Sequence, residues 1–150
     1  GCLDGIKVLE LGNFISGPYG AMLLADMGAE VIKVENPKGG DPFRGWDFGG
    51  DQPNFWAYNR GKKSVAIDLK SEEGREILLR LIETADVFLT SLRPRALKSL
   101  RLDPEDLMAR NPRIIYARGN GLGFKGEEFD KAGYDASAFW ARAGSIAWSR

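Results

Sequence analysis

The segment Ile6–Glu35 constrains the fold of this chain more than any other stretch. Two short apolar runs flank a glycine-rich turn and a run of good helix formers, which is the pattern of a strand–turn–helix–strand unit. We therefore predict one buried strand on each side of a helix. The predicted parts are a strand at Ile6–Leu11, a turn GNFISGPYG at 12–20, a helix at Ala21–Met27 that Gly28 ends, and a strand at Glu30–Glu35.

The turn at 12–20 is the first place to expect a ligand. A unit of this kind is nearly always right-handed with parallel strands, so the turn lies at the carboxyl edge of the sheet, where ligands bind in open α/β sheets. Glycine backbone and a helix start both favour a bound anion. The glycine spacing matches neither the G-x-G-x-x-G fingerprint nor a P-loop. Two interpretations stay open on this pattern: a cradle for phosphate or pyrophosphate, and a tight connection without a ligand.

Strand and helix patterns continue to alternate after Glu35. This alternation predicts an α/β fold, a Rossmann-like open parallel sheet with flanking helices. Ser71 and Asp103 have the sequence context of helix N-caps. The predicted elements are strands at Ser64–Leu69, Val87–Leu92 and Arg113–Arg118, helices after Ser71 and Asp103, a short helical run around Leu97, and a helix at Asp135–Trp148.

The segment Asn36–Asn59 is rich in glycine and proline and predicts a long loop. It carries six aromatic residues, which either cover a ligand pocket or fold down as a small satellite core. Lys62 and Lys63 follow just before the third predicted strand. They are either phosphate ligands or a solvated pair.

Composition excludes several classes of function. The chain has 150 residues, and its 21 lysines and arginines balance 21 aspartates and glutamates, which argues against a general nucleic-acid or membrane-surface role. It has no histidine, so Ser–His triads and the usual zinc sites are excluded within it, and we predict no metal site. Cys2 is its single cysteine, which excludes an internal disulfide and fits a reducing compartment.

A series of short motifs runs through the whole chain in a fixed order. They are LDGIKVL at 3–9, Gly17-Pro18, Leu24 with ADMGA at 25–29, VIKVE at 31–35, Gly40-Asp41, Arg44-Gly45-Trp46, Asn59 with Lys62-Lys63-Ser64, Asp68-Leu69-Lys70, Glu73-Gly74-Arg75, Ala85-Asp86-Val87, NPRIIYA at 111–117 and Gly133-Tyr134-Asp135. In this order they resemble the family III CoA-transferases, which include formyl-CoA transferase and α-methylacyl-CoA racemase.

The resemblance implies transfer of CoA between carboxylic acids. Family members use an aspartate nucleophile that forms an acyl anhydride and then an aspartyl-CoA thioester, which splits one difficult exchange into easier steps. CoA and acyl-CoA are substrates, and no cofactor is bound permanently. By the same resemblance we expect a cytoplasmic protein that forms an interlocked homodimer at full length, with no nucleic-acid or membrane partner.

The resemblance also predicts what this chain lacks. The family's nucleophilic aspartate belongs to a Gly-Asp motif past the segment that matches Gly133-Tyr134-Asp135, so Asp135 is not assigned that role and no catalytic residue is predicted here. We expect residues 1–150 to form the amino-terminal part of the large CoA-binding domain, with the small domain and the return of the chain to the large domain downstream. Alone, this chain is expected to be inactive.

For CoA binding, the resemblance points to three places. Asn13, Phe14 and Ile15 occupy the family's contact positions in the first glycine turn. The other predicted contacts are Lys62, which matches a basic residue that meets CoA phosphates, and Ser91 and Leu92, which stand where the adenine site is lined.

Three alternatives accompany this prediction. Racemases of the family carry His-Asp where this chain has Tyr134-Asp135, and a phenol is a poor base at neutral pH, so transferase is favoured over an α-methylacyl-CoA racemase-type isomerase. A non-catalytic nucleotide-binding or interaction module is the second alternative. A dinucleotide oxidoreductase is the third.

Overall fold

A computed structural model describes residues 1–46, 52–142 and 144 of the chain. The strands are β1 (Lys7–Leu11), β2 (Glu30–Glu35), β3 (Lys62–Ala66), β4 (Val87–Thr90) and β5 (Ile115–Arg118). The helices are α1 (Ser16–Asp26), α2 (Pro53–Asn59), α3 (Glu72–Glu83), α4 (Pro94–Ser99) and α5 (Pro104–Arg110), together with a 3₁₀ turn at Pro42–Gly45 and a π-helical turn at Asp135–Trp140.

The strands of the described residues form one parallel sheet in the order β3-β2-β1-β4-β5. This confirms the predicted α/β, Rossmann-like class. The central strand β1 pairs with β2 through Glu10 and Lys33 and with β4 through Leu11 and Thr90, among other positions. Because neighbouring β1 and β4 are not consecutive in the chain, the strand order reverses between them, which is where crevices form in such sheets.

Helix α1 begins earlier than the sequence predicts. The predicted start was Ala21, but the helix starts at Ser16 and takes in Gly17 and Pro18. Proline is tolerated there because amides in the first turn of a helix have no partner inside the helix. The observed turn is therefore shorter than the predicted one, because residues 16–20 of the predicted turn belong to α1.

The long loop predicted at Asn36–Asn59 is wrong for part of its length. The structure has a 3₁₀ turn at Pro42–Gly45 and helix α2 at Pro53–Asn59, each with proline in its first positions. Proline is common in loops, but its fixed φ and missing N–H also suit the start of a helix. Residues 47–51 of the predicted loop lie outside the described part.

The remaining elements follow the predicted order with shifted ends. Ser71 caps α3 as expected, since its hydroxyl accepts a hydrogen bond from the Gly74 amide. Asp103 precedes Pro104 at the start of α5, also as expected. The predicted helix Asp135–Trp148 is a π-helical turn over Asp135–Trp140, and residues 143 and 145–150 of that prediction lie outside the described part.

The two faces of the sheet differ in chemistry. One face carries Leu9, Phe88 and Ile114 against side chains of α3, α4 and α5 and is a continuous apolar core. The other face, beneath α1, has a smaller apolar cluster around Val8 and Val31. On that second face the buried side chains nearer the carboxyl ends of β1 and β2 are charged, namely Glu10, Lys33 and Glu35. Charge is thus concentrated beneath the glycine turn.

No helix among the described residues is long and apolar enough to cross a membrane.

Candidate functional site

The glycine turn lies at the carboxyl end of β1, as the sequence predicts, beside the point where the strand order reverses. A cavity of about 230 Å³ opens there, between the start of α1 and the ends of β4 and β5. The first turn of α1 carries no acidic residue, so the positive end of the helix is not neutralised by its own side chains. The cavity is lined by Ser16, Gly17, Leu89, Thr90, Ser91, Ala117, Arg118 and Gly119.

Four side chains from four different segments hold the backbone of this turn, and we call them the turn clamp. Two are lysines that donate to carbonyl oxygens of the turn, and two are oxygen acceptors for amides of the turn. The bonds of the turn clamp are Lys33 Nζ to Gly12 O (2.9 Å), Lys62 Nζ to Pro18 O (2.8 Å), Asn13 N to Ser91 Oγ (3.2 Å) and Phe14 N to Asp41 Oδ1 (3.1 Å).

Lys33 and Glu10 form a buried ion pair beneath the turn. They are in-register neighbours on β2 and β1, and Lys33 Nζ lies 2.9 Å from Glu10 Oε1. Only 2% of Lys33 and none of Glu10 is exposed. Lys33 Nζ also lies 3.0 Å from Asp41 Oδ2, an oxygen without a directed hydrogen bond, so that contact is an attraction between charges. The pairing of these charges offsets the desolvation cost of burying them.

Lys62 turns inward, and its ammonium group is fully engaged by the protein. Besides Pro18 O it donates to Glu10 Oε2 at 2.7 Å and to Asn59 Oδ1 at 2.9 Å. Burial lowers the pKa of Lys62, while the charge of Glu10 opposes that shift. A phosphate would have to displace one of these acceptors to meet the ammonium group directly. The predicted contact between Lys62 and a CoA phosphate therefore stays a prediction.

Asp41 joins the segment after β2 to the glycine turn. Its Oδ1 accepts from the amides of both Phe14 and Phe43, and the side chain is shielded from solvent. Phe14 has a φ of +61°, a left-handed conformation that is uncommon for a residue with a side chain. The Asp41 contact thus holds a backbone conformation that Phe14 does not favour by itself.

Glu35, at the end of β2, anchors that same segment. Arg44 binds it through two hydrogen bonds of 2.8 and 2.9 Å, and Ser64 Oγ donates to it at 2.7 Å. The Asp41 amide adds a further bond of 3.0 Å. Burial raises the pKa of Glu35, but these hydrogen bonds and the Arg44 charge outweigh it and lower the pKa to about 2.

Gly12 and Gly17 allow the two ends of the turn to approach Ser91 closely. A Cβ built on Gly17 would lie 3.1 Å from Ser91 Oγ and 3.4 Å from the Gly12 Cα. One built on Gly12 would lie 3.2 Å from Ser91 Oγ. These distances are tighter than ordinary Cβ contacts, so a larger residue at either position would require the Ser91 side chain or the turn to shift.

Phe14 is the centre of a group of aromatic rings above the turn. Its ring lies 5.6 to 6.1 Å from those of Trp46, Tyr134 and Phe43. Phe43 is buried, whereas Trp46 and Tyr134 are each 61% exposed. The aromatic segment thus contributes both to the core and to the open surface next to the turn. Phe48, which belongs to the same predicted set, lies outside the described residues.

The remaining predicted contacts have separate surroundings. Ile15 is the exposed residue before α1. Leu92 is half-buried against the apolar core, and its amide donates to Thr90 Oγ1. Asn13, Phe14 and Ser91 are therefore brought together directly, Lys62 supports them from below, and Leu92 packs on the other face of the sheet.

A second cavity, of about 310 Å³, lies beyond the end of β3 at the start of α3. Arg75 crosses it to donate to the carbonyl oxygens of Leu100 and Arg101, and Arg101 pairs with Glu72. Lys70 is exposed at its rim. The lining is Leu69, Lys70, Ser71, Glu72, Arg75, Ser99, Leu100 and Arg101.

Sequence reasoning missed Glu10, Lys33 and Asp41 as parts of the site. A signal for the first two was present, because a charged residue inside an apolar strand of a parallel sheet must find a partner. Asp41 belongs to the Gly40-Asp41 motif of the resemblance, but no local pattern predicts its contact with the turn after β1. No group of three His, Cys, Asp or Glu side chains suited to a metal ion occurs within the described ranges.

The family model and the relatives of this chain all point to the CoA-transferases. The sequence model of CoA-transferase family III matches residues 3–149. A succinate–glutarate CoA-transferase from Agrobacterium fabrum is 44% identical over 89% of this chain, and a cinnamoyl-CoA:phenyllactate CoA-transferase from Clostridium sporogenes is 40% identical over 94%. The chain covers 36% of each, so it spans little more than a third of the length of these relatives.

Solved structures agree with the sequence comparison. The protein Rv3272 from Mycobacterium tuberculosis superposes with a TM-score of 0.87 at 43% identity, over 95% of this chain and 40% of that one. A CaiB/BaiF family protein from Brucella suis gives a TM-score of 0.85 at 41% identity, over 95% and 39% of the two chains.

Proposed function

The chain belongs to CoA-transferase family III, and from this premise we propose that it supplies part of the CoA-binding domain of an enzyme that transfers CoA between carboxylic acids. The observation that carries the proposal is the glycine turn, which opens at the carboxyl edge of the sheet and is held there by the four side chains of the turn clamp. The names of the relatives described above support neither the racemase, the binding-module nor the oxidoreductase alternative.

We place the acyl-bearing end of CoA at the glycine turn. The exposed sides of Asn13, Phe14 and Ile15 would contact the ligand there, with Ser91 fixing the turn from β4. Leu92, also a predicted contact, packs on the other face of the sheet and would act only through the packing of the apolar core. Lys62 would contact a phosphate only after exchanging one of its internal acceptors, and otherwise it supports the turn at Pro18.

We place the phosphates of CoA toward the cavity beyond β3. Lys70 and Arg75 give this cavity positive charge, and the polyanionic ligand needs such charge. Leu69 and Leu100 supply apolar surface for the adenine base, in place of the site beside Ser91 and Leu92 that the resemblance implies. These residues were not predicted from the sequence, because surface lysines and arginines are common and their grouping arises only from the fold.

The reaction of the complete enzyme is proposed to pass through an aspartyl-CoA intermediate. The carboxylate that forms it would belong to the family's Gly-Asp motif downstream of the segment that matches Gly133-Tyr134-Asp135. Residues 1–150 would form the amino-terminal part of the large domain, and this chain alone would be inactive. CoA thioesters and carboxylic acids would be the substrates, without a permanently bound cofactor, and the complete enzyme would be a cytoplasmic, interlocked homodimer.

Isothermal titration of the complete enzyme with CoA tests the proposal, followed by an assay of CoA exchange between an acyl-CoA and a free carboxylic acid. The proposal expects saturable CoA binding, and it expects NADH to give no heat of binding. Absence of CoA binding would overturn it. Binding without exchange would retain the CoA site and reject the transfer reaction.

A further inference from the structure

We propose that Asp41 is a positioning residue that sets the conformation of the glycine turn for CoA by holding the Phe14 amide. The inference rests on the proposed CoA site at this turn. It assigns a role to a buried carboxylate that is placed to act through Phe14 rather than on the ligand.

The carboxylate of Asp41 is buried and joins two segments of the chain. Only 1% of the residue is exposed, so its carboxylate is not available as a contact for a ligand in solution. Its Oδ1 accepts hydrogen bonds from the amides of Phe14 (3.1 Å) and Phe43 (3.0 Å), which belong to two different segments. One oxygen atom therefore ties the segment after β2 to the turn after β1.

The backbone of Phe14 is strained. Its φ of +61° is a left-handed conformation that is strained for a residue with a side chain. Such a conformation persists when surrounding contacts determine it. The hydrogen bond to a buried carboxylate is a contact of the required strength, because bonds to charged groups are stronger than neutral ones.

Asp41 is itself held in place by neighbouring charged groups. Its amide donates to Glu35 Oε1 at 3.0 Å, and Arg44 holds Glu35 from the other side. Gly40, which precedes it, has a φ of +68°, and a Cβ there would lie 2.9 Å from Glu35 Oε1. The side chain of Asp41 is thereby fixed from both the backbone and the Lys33 charge. A carboxylate fixed in this way can impose a conformation on the turn.

The consequence is a separation of roles. Phe14 presents its ring among Trp46 and Tyr134 beside the proposed acyl site, and Asp41 determines where that ring points. Asp41 is thus expected to affect CoA affinity without touching CoA.

A double-mutant cycle between Asp41 and Phe14 tests this inference. We expect Asp41→Ala in the complete enzyme to weaken CoA binding about tenfold, because it removes the bond to the Phe14 amide together with the bond to Phe43 and the contact with Lys33. Glycine adopts the left-handed conformation without strain, so in a Phe14→Gly background the same substitution should weaken binding less than about threefold. Asp41→Asn keeps an acceptor oxygen for the Phe14 amide but removes the charge that faces Lys33, so it should weaken binding less than Asp41→Ala does. Equal losses in both backgrounds would show that Asp41 acts on stability generally and would overturn the inference.

Hydrogen–deuterium exchange of the wild-type protein gives a measurement that needs no variant. The turn peptide that contains Phe14 should exchange slowly, and rapid exchange of its amide would reject the inference even where Asp41→Ala fails to fold. If the wild-type protein does not bind CoA while Phe14 is protected, the proposed function fails and the contact between Asp41 and Phe14 stands.

Discussion

The ammonium group of Lys62 lies 2.7 Å from the Glu10 carboxylate, with both side chains almost completely shielded from solvent beneath the glycine turn. The next residue, Lys63, reaches the opposite way, and its pair with Glu30 is exposed. Two lysines that are equivalent in the sequence therefore have different roles. One is part of the internal structure of the site, and the other is a surface charge.

Replacement of Lys62 by methionine should destabilise the protein strongly. The substitution keeps the length of the side chain but leaves Glu10 with only Lys33 as its partner and frees Pro18 O. Removing one member of a buried pair costs about 3 kcal/mol in the free energy of unfolding. Urea unfolding measures this, with Lys63→Met as the matched control, which should change the free energy by less than about 0.5 kcal/mol. Similar values for the two variants would contradict the buried role of Lys62.

Gly17→Ala and Gly20→Ala should have opposite effects although both lie in α1. The new methyl group at position 17 would press on Ser91 and Gly12, so we expect a loss of about 1 to 3 kcal/mol in stability and weaker CoA binding. At position 20 the nearest atom is a flexible Leu89 methyl group at 3.9 Å. Alanine there should stabilise the helix by up to about 1 kcal/mol. Thermal melting and CoA titration of both variants check the difference, and a neutral Gly17→Ala would refute the close packing.

Acidification should weaken the structure through Glu35. Its pKa is about 2 in the folded protein and 4.5 ordinarily, so its contribution to stability is present above pH 4.5 and is lost as the pH falls toward 2. Glu35→Gln should therefore flatten the decrease of the melting temperature between pH 5 and about pH 2. The exposed Glu30→Gln is the control and should leave most of that decrease in place. An unchanged pH profile in Glu35→Gln would mean that the Arg44 contact does not form in solution.

Lys70 offers a test of the second cavity that does not disturb the fold. Lys70→Met should weaken CoA binding several-fold, and increasingly so at low salt, while the unfolding transition stays in place because the side chain is exposed. Lys98 on α4 is also exposed but does not line the cavity, so Lys98→Met serves as the control for net charge. Equal effects of the two substitutions on CoA affinity would indicate a general charge effect and no phosphate site.

The sequence predicts the sheet well because its strands and helix caps are local signals. Glu30–Glu35 alternates as a strand should, and Ser71 precedes its helix with two glutamates. The prolines at 42 and 53 were misinterpreted, since the same residue both ends and starts helices. The start of α1 was placed too late because the glycines hid a first helical turn that tertiary packing stabilises.

The site was predictable in part. The resemblance predicts Asn13 and Ser91 as contacts of CoA; the structure joins the two by a hydrogen bond, and their contact with CoA stays a prediction. The inward turn of Lys62 could not be foreseen, because it depends on the register that places Glu10 within its reach. The same holds for Asp41, whose partner Phe14 lies 27 positions away in the chain. Contacts of this kind depend on the three-dimensional arrangement and leave no periodic pattern in the sequence.

The concentration of charge on one face of the sheet limits which substitutions this sequence can accept during evolution. Beneath the turn, Glu10, Glu35 and Asp41 balance Lys33, Lys62 and Arg44, so a change at any one position leaves an unmatched charge in the interior. On the opposite face, one apolar side chain can replace another of similar volume at low cost. Related sequences should therefore exchange apolar residues of similar volume on the apolar face. Beneath the turn, they should change a charged residue only together with its partner.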